Sequence, residues 1–331
     1  MEFTDSGDIL ALGLEERPIK GRVLLIQPDT EKVGELLTQK GIAWSEWSWL
    51  WSERQATTWP SEELVDCVIL RLPTVRELTT LVLEVSASRL APGGTLLIYG
   101  ANHEGVKSIH DHLAPWFEQS EVVIYKHRER VVSAVRTAVK EGLHTRLEDW
   151  QRIMEATIQG SVTKFISYPG MFAHGTLDQG TKLLLANLPE CSAGSKILDM
   201  GCGTGVLARA MQDRTPDVSI DAVDLNAFAI EATKKNVPGV HALWGDSWRA
   251  LAANAKYQFI ISNPPVHQGA RQTTQPLEYF ISHAKEHLVS GGTITLVVQG
   301  TIPVKRYFDK AGLRSTLMAE DTIYQVWQAR S

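Results

Sequence analysis

The residues with the clearest chemical character form the turn Ser262-Asn263-Pro264-Pro265. It follows the apolar run 257–261, which is typical of a buried parallel strand. Two consecutive prolines end that strand, restrict φ and remove two backbone donors, so that mainly hydrogen-bond acceptors remain. Carboxyl ends of parallel strands are where open α/β sheets bind ligands. The Asn263 side-chain oxygen and the proline carbonyls therefore suit a substrate that presents an –NH2 group.

Such an acceptor pair matters because the exocyclic amine of a nucleobase is a poor nucleophile, its lone pair being delocalised into the ring. Two acceptors that take both N–H bonds hold the nitrogen closer to tetrahedral and direct its lone pair at an electrophile. No strong base is needed until the product ammonium loses a proton. We therefore predict Asn263, Pro264 and Pro265 as catalytic residues; a turn without chemistry is the alternative.

A glycine-rich loop at 199–205, Asp-Met-Gly-Cys-Gly-Thr-Gly, closes one predicted strand and opens a predicted helix. Glycines let the backbone approach a ligand, and the helix N-terminus supplies N–H groups. Asp224 ends the next strand, where a carboxylate accepts from ribose hydroxyls, and Asp246 follows the third strand, where it can accept from an adenine amine. The predicted cofactor-binding residues are Asp199, Gly201, Cys202, Gly203, Gly205, Asp224, Leu225, Asp246, Ser247 and Asn263.

The same loop also fits a loose dinucleotide-binding fingerprint, through Gly203, Gly205 and the later Asp224. Asp199 argues against a dinucleotide, because a carboxylate repels a diphosphate and attracts the cationic amino-acid end of S-adenosylmethionine. Together with the Asn-Pro-Pro turn one strand further on, this favours S-adenosylmethionine over a nicotinamide cofactor.

The elements that must position these motifs alternate between strand-like and helix-like segments. This alternation predicts βαβ units and a parallel sheet that is covered on both faces. The last two apolar runs are joined by a short connection and predict an antiparallel hairpin. The predicted strands are 196–200, 218–223, 240–243, 257–262, 293–298, 313–318 and 322–329, and the helices include 206–212 and 228–236.

The N-terminal half repeats this layout, which predicts a duplicated fold. A first strand at 22–27 and another at 65–70 are followed by residues 90–98, which parallel residues 288–296 around a shared Gly-Gly pair. After its first strand, however, this half has Gln-Pro-Asp-Thr in place of the glycine loop. Side chains and a proline there block close backbone approach to a cofactor, so we predict a non-catalytic first copy.

Length and composition describe a globular chain of about two domains. The chain has 331 residues, is 44% hydrophobic and 21% charged, and shows neither a membrane-spanning run nor a secretory signal, so we predict a cytoplasmic protein. The net charge of −5 disfavours general attraction to nucleic acid, and an RNA partner therefore requires a local basic patch. Cys67, Cys191 and Cys202 lack metal-ligand spacing; we predict buried free thiols and no metal site.

Four strings in the second half resemble a known family. The loop at 199–205 resembles motif I of class I S-adenosylmethionine-dependent methyltransferases, and Asn-Pro-Pro resembles the motif of their amino-methylating members. Residues 262–269, 168–172 and 177–185 resemble the bacterial ribosomal RNA guanine-N2 methyltransferases, particularly the small-subunit enzymes. This resemblance implies methyl transfer to a guanine N2 by a monomer, with ribosomal RNA or a small-subunit assembly intermediate as partner and no membrane involvement.

The resemblance also implies a fold class, namely α/β with two tandem Rossmann-like methyltransferase domains. The expected domains are a degenerate one over 1–135, for substrate binding or scaffolding, and a catalytic one with a seven-stranded sheet over 161–331. The base-rich segment between them predicts a helical linker over 136–160. The family usually has an aromatic residue where this chain has Val266, so Phe172 and His267 are candidates to contact the base instead. Asp178, ahead of an apolar run, is a predicted helix N-cap.

Three alternatives remain open at the level of sequence. The acceptor pair selects an –NH2 group more than a particular molecule, so a large-subunit or transfer RNA base, an adenine or a glutamine amide would also serve. A nicotinamide-dependent oxidoreductase would instead use the glycine loop for its dinucleotide. A purely RNA-binding protein would leave that loop without a function.

Overall fold

The computed structural model describes residues 6–52, 57–171, 175–264, 267–268, 271–272 and 274–331. The chain forms two compact units, Met1–Trp150 and Gln151–Ser331. Within the described part of the chain, no helix has the length and apolar character needed to cross a membrane.

The helical linker predicted over 136–160 is wrong. This stretch holds a single 3₁₀ turn, Leu147–Trp150, and then the strand β7 (Arg152–Ile158), which pairs with β8 (Ser161–Ser167) as an antiparallel hairpin. Met154, Ala156 and Ile158 are buried while the residues between them are exposed, which is the period of two that defines a strand. This alternation, rather than the basic composition of the segment, is the signal that identifies the strand.

The C-terminal unit is built on a seven-stranded sheet, as predicted. Its strand order is β11-β10-β9-β12-β15-β17-β16; the first five strands run parallel, and both pairings of β17, with β15 and with β16, are antiparallel. The strands are β9 (Lys196–Met200), β10 (Ser219–Asp224), β11 (His241–Trp244), β12 (Tyr257–Ser262), β15 (Leu288–Gln299), β16 (Arg314–Glu320) and β17 (Tyr324–Arg330), and a small separate pair is formed by β13 (His267–Gln268) and β14 (Arg271–Gln272).

Helices cover both faces of this sheet because its central strands are apolar on both sides. Leu198 and Ile260 belong to one core cluster, and their neighbours Ile197 and Ile261 belong to another; all four are fully buried. The first cluster includes residues of α7 and α8, and the second includes residues of α4 and α5. The helices are α4 (Gln179–Ala186), α5 (Val206–Arg214), α6 (Ala227–Asn236), α7 (Gln275–His287) and α8 (Val304–Lys310).

The N-terminal unit has a six-stranded sheet in the order β2-β1-β3-β4-β6-β5. Among the described residues, this is the order of the C-terminal sheet without a counterpart of its edge strand β11, and the last two pairings are again antiparallel. The shared order supports the predicted duplication. The elements are α1 (Ser6–Glu16), β1 (Val23–Ile26), α2 (Lys32–Gln39), β2 (Trp44–Trp47), β3 (Val65–Arg71), α3 (Arg76–Arg89), β4 (Leu90–Ala101), β5 (Phe117–Lys126) and β6 (Glu129–Arg136).

Ion pairs occupy the edge of the N-terminal sheet that corresponds to the predicted catalytic edge. The strand register places Arg71 where the second copy has Asn263, since Leu70 lies opposite Ile98 and Ser262 lies opposite Leu296. The Arg71 guanidinium contacts Asp29 at 2.7 Å and Glu104 at 2.8 Å. The first copy is degenerate because charged side chains fill this edge.

Candidate active site

Three strand ends bring the predicted motifs together at one edge of the C-terminal sheet. The residues Ala222 of β10 and Ile261 of β12 lie on either side of Asp199 of β9. At the last residues of β12 and β9, the Ser262 hydroxyl donates to the Met200 carbonyl at 2.7 Å. The glycine loop, Asp224 and the Asn-Pro-Pro turn therefore share one edge, as the sequence predicted.

The glycine loop adopts a backbone that side chains disfavour. Gly201, Gly203 and Gly205 have φ values of 73°, 54° and 77°. A Cβ on Gly205 would lie 2.8 Å from the Val237 side chain, so this glycine permits close packing against the segment after α6. A Cβ on Gly203 would meet no described atom within 4 Å. Gly203 thus leaves the open approach to the backbone that a cofactor requires.

Two side chains of α6 fix the loop from behind, and sequence reasoning missed both. The Thr233 hydroxyl lies 3.0 Å from the Gly203 carbonyl, and the Asn236 Nδ2 donates to the Thr204 carbonyl at 2.9 Å. Asn236 also exchanges two hydrogen bonds of 2.8 Å with the Ile166 backbone of β8. The three-residue spacing of Thr233 and Asn236 puts both on one helical face, which was the available signal.

The cysteines behave as packing residues. Cys67 and Cys202 are buried and Cys191 is half-buried, and all three are free thiols. Burial raises the pKa of the Cys202 thiol well above its usual value, and its sulfur lies 3.3 Å from the Thr233 hydroxyl. Cys202 therefore contributes backbone and bulk to the loop; no thiolate chemistry is available from it at neutral pH.

Asp224 is positioned by the loop that it faces. Its Oδ2 accepts from the Gly203 N–H at 2.9 Å and its Oδ1 from the Asn226 N–H at 2.8 Å. Burial raises the pKa of this carboxyl group, while the same N–H groups lower it. A carboxylate has about four acceptor sites, so each oxygen can still accept from a ribose hydroxyl. Leu225 beside it is exposed.

Asp199 is fully buried at the end of β9. Its Oδ2 accepts from the Ala208 N–H of α5 at 3.1 Å, whereas Oδ1 has no hydrogen-bond partner among the described residues. Burial, and secondly the charge of Asp224, raises the pKa of Asp199 to about 7. An unpaired buried acceptor behind an open loop fits a cationic donor such as S-adenosylmethionine. Direct contact between Asp199 and the donor's amino group stays a prediction.

The segment after β11 lies beside Asp224, because the Gly245 N–H donates to the Asp224 carbonyl at 3.0 Å. Asp246 is half-buried, and its carboxylate is 3.8 Å from the Arg249 guanidinium. Ser247 has a φ of 53°. The structure places both residues next to the loop; their contact with an adenine stays a prediction.

Asn263 has a defined side-chain orientation. Its Nδ2 donates to Asp178 Oδ2 at 3.0 Å and to Thr181 Oγ1 at 2.8 Å. Its backbone carbonyl lies 4.0 Å from the position of a Cβ on Gly201. The Asn-Pro-Pro turn and the glycine loop are therefore neighbours. Because the nitrogen donates in both contacts, the Asn263 Oδ1 is left as the hydrogen-bond acceptor of this amide.

The remaining predicted substrate contacts are described only in part. Pro264 is buried directly after Asn263. The backbone of His267 belongs to the short strand β13, and its side chain lies outside the described residues. Pro265, Val266 and Phe172 also lie outside them. Their roles stay predictions.

Asp178 is the N-cap of α4, as predicted, and does more than cap. Its Oδ2 accepts from the Thr181 N–H at 3.0 Å and from Asn263, which is 85 residues away in the chain. Burial, and secondly the charge of this carboxylate, raises the pKa of the Tyr324 hydroxyl of β17. No local pattern signals contacts at such separations.

The Tyr-Pro-Gly-Met string at 168–171 also belongs to the site. The Gly170 carbonyl accepts from the Asn226 Nδ2 at 3.1 Å, next to Asp224. Tyr168 is fully buried, with its ring centroid 6.3 Å from that of Phe228 on α6. This string thus enters the cofactor edge from the side of α6.

Two family models match the chain. Methyltransferase small domain matches residues 162–328, and methyltransferase small domain N-terminal matches residues 20–125. The ribosomal RNA small subunit methyltransferase C of Shewanella pealeana is 31% identical over 81% of this chain and 78% of its own length. The protein of that name from Shewanella sediminis is 30% identical over the same shares.

A solved structure shares both units. The 16S rRNA N2 G1207 methyltransferase of T. thermophilus, in complex with AdoMet and guanosine, superposes with a TM-score of 0.85. The two sequences are 22% identical, and the superposition covers 99% of this chain and 92% of the T. thermophilus chain. This similarity confirms the fold of two tandem α/β domains.

The fold and the site define a class I methyltransferase whose methyl donor is S-adenosylmethionine. The prediction of this cofactor is confirmed, and the dinucleotide alternative is excluded. The chain belongs to the methyltransferase small domain family and, within it, to the ribosomal RNA small subunit methyltransferase C proteins.

We expect Asp224→Ala to weaken S-adenosylmethionine binding by roughly 10- to 100-fold, because it removes a charged acceptor from the ribose site. Isothermal titration calorimetry measures this directly. Asp213→Ala is the matched control, since Asp213 pairs with Arg209 on the surface of α5. Unchanged affinity in a folded Asp224→Ala protein would contradict the assignment.

Asp199 gives the C-terminal unit a defined pH dependence. Its pKa in the folded chain, about 7, exceeds the value of about 4 in an unfolded chain, so the native state holds an extra proton between these values. Stability therefore falls by about 1 kcal/mol per pH unit as the pH rises through this window. Asp199→Asn keeps an acceptor for Ala208 and should remove this slope. Urea unfolding at several pH values tests it; parallel curves for the two proteins would refute it.

Proposed function

We propose that this protein transfers a methyl group from S-adenosylmethionine to the exocyclic N2 amine of a guanine in small-subunit ribosomal RNA. The observation that carries this proposal is the Asn263 amide. Asp178 and Thr181 accept hydrogen bonds from its nitrogen, which leaves its oxygen as the acceptor that it can offer to an amine.

The chain holds the donor along the glycine loop. Gly201, Gly203 and Gly205 line it, Asp224 accepts from its ribose, and Asp246 accepts from its adenine. S-adenosylmethionine, when bound, supplies an electrophilic methyl group on a positively charged sulfur. The half-buried Asp224 gains a hydroxyl donor in place of water, which favours its ionised form.

At the amine, Asn263 Oδ1 and the Pro264 carbonyl each accept one N–H of the guanine N2. This arrangement frees the nitrogen lone pair from the ring and points it at the methyl carbon. The N–C bond forms as the S–C bond breaks, the S–C electron pair stays on the sulfur, and the nitrogen then loses one proton to water. The residues orient the amine and need not remove a proton beforehand.

The choice of guanine in ribosomal RNA is supported by the family. The curated relatives carry the name of a ribosomal RNA small subunit methyltransferase, and the T. thermophilus enzyme was solved with guanosine. A base inside a helix cannot reach such a turn, so the target must be unstacked or flipped, at a cost of a few kcal/mol.

The finer features of the proposal concern partners and setting. We propose that the substrate is ribosomal RNA or a small-subunit assembly intermediate, and that the protein acts as a cytoplasmic monomer. We further propose that the N-terminal unit binds substrate or serves as a scaffold. Its ion-paired edge at Arg71 is consistent with this role, since it leaves no open loop for a donor.

Labelled methyl transfer tests the proposed function. The protein is incubated with labelled S-adenosylmethionine and either unmodified small-subunit RNA or partially assembled subunits, and nucleosides are then identified by mass spectrometry. We expect N2-methylguanosine at one position. Label in a methylated adenine, in large-subunit RNA alone or in protein would refute the proposal.

We expect Asn263→Ala to lower turnover by about 10²- to 10³-fold, the scale of losing one preorganised hydrogen-bonding group. Asn187→Ala is the matched control, since Asn187 bonds only the Leu183 carbonyl at the other end of α4. Near-normal turnover of a folded Asn263→Ala enzyme would overturn the catalytic role.

A further inference from the structure

We infer that Asp178, with Thr181, is a positioning group that fixes the Asn263 amide in one orientation and strengthens its acceptor oxygen. This inference rests on the proposed function in one respect, namely that Asn263 receives the amine. It gives α4 a part in the reaction, although this helix carries neither the glycine loop nor the Asn-Pro-Pro turn.

The hydrogen-bond directions allow a single orientation of the amide. The Asp178 carboxylate only accepts, so the group that faces it must be the Asn263 nitrogen. Thr181 can donate its hydroxyl proton to Asp178 Oδ2, 3.4 Å away, while it accepts from Asn263 at 2.8 Å. These three contacts close a consistent triangle. A flipped amide would direct its oxygen at a carboxylate and lose both donors.

The same contacts make the Asn263 oxygen a better acceptor. An amide that donates to a carboxylate is polarised toward its own oxygen, and hydrogen bonds in series strengthen one another. The guanine amine would therefore meet a more negative oxygen than a solvated asparagine offers. The more negative oxygen stabilises the step in which positive charge develops on the guanine nitrogen.

A hydrogen bond and the helix dipole keep the Asp178 carboxylate in place. The Thr181 N–H donates to it at 3.0 Å, and the dipole at the start of α4 favours an anion there. A cap alone needs only the Thr181 N–H. The contact from Asn263, 85 residues away in the chain, exceeds what capping requires, and it points to the active site.

Asp178→Ser separates the two roles. Serine caps a helix about as well as aspartate, so α4 should persist, but its shorter side chain leaves Asn263 without its acceptor. We expect kcat on the RNA to fall by about 10-fold, with the KM for RNA and the donor affinity unchanged. Gln179→Ala is the control: it alters the adjacent residue at the start of α4, which bonds Asp321 and not Asn263.

A double-mutant cycle distinguishes positioning from general damage. If Asp178 acts through Asn263, Asp178→Ser should cause no further loss of kcat in the Asn263→Ala background. Losses that multiply would overturn the inference, and so would unchanged kcat in the single variant. Thr181→Val removes the other acceptor without touching the cap side chain, and it replaces Asp178→Ser in the cycle if that variant unfolds.

A second measurement needs no substrate. In protein labelled with ¹⁵N-asparagine, the Asn263 side-chain amide is assigned by its absence from Asn263→Ala, and its proton exchange with water is followed by NMR. Exchange should be slow in the wild type and at least 10-fold faster in Asp178→Ser or Thr181→Val. Unchanged exchange would overturn the inference even in an active enzyme. Methylation of another base by the wild type, with exchange as expected, would overturn only the proposed function.

Discussion

The site depends on one constraint: the parallel strands β10, β9 and β12 must end in register at the same edge of the sheet. Backbone hydrogen bonds enforce this, since the Val223 carbonyl accepts from Gly201 and Cys202 just beyond the strands. On the other side of β9, the Ser262 hydroxyl donates to the Met200 carbonyl and ties the end of β12 to the end of β9. Because the strand ends cannot slip, the glycine loop and the Asn-Pro-Pro turn meet, with the Asn263 carbonyl 4.0 Å from the position of a Cβ on Gly201.

Much of this arrangement could be predicted from sequence because it depends on local residue patterns. Apolar runs bounded by turn residues located the strands, and glycines at alternate positions located the loop. Asp178 could be assigned as an N-cap from its place before an apolar helix. Each of these inferences concerns residues within one turn or one strand, where backbone geometry dictates the residue type.

The parts that sequence reasoning missed depend on distant pairs. Asn236 bonds Thr204 and Ile166, and Asp178 bonds Asn263, across separations that leave no periodic signal. The error over 136–160 has a different cause. A base-rich composition suggests a helical surface, whereas the alternation of the buried Met154, Ala156 and Ile158 with exposed residues is the stronger physical signal for a strand.

The N-terminal sheet preserves a backbone that its sequence no longer explains. Gln27 stands where the catalytic copy has Gly201, and it keeps a left-handed φ of 48°. Its N–H still donates to the neighbouring strand, at Trp47, as that of Gly201 does at Val223. The side chain accepts from Trp49 and Leu50, which offsets the conformational cost. The two corresponding positions therefore share a left-handed backbone although only one of them is a glycine. In a sheet of this kind, the backbone dihedral identifies the position of the loop where the residue type does not.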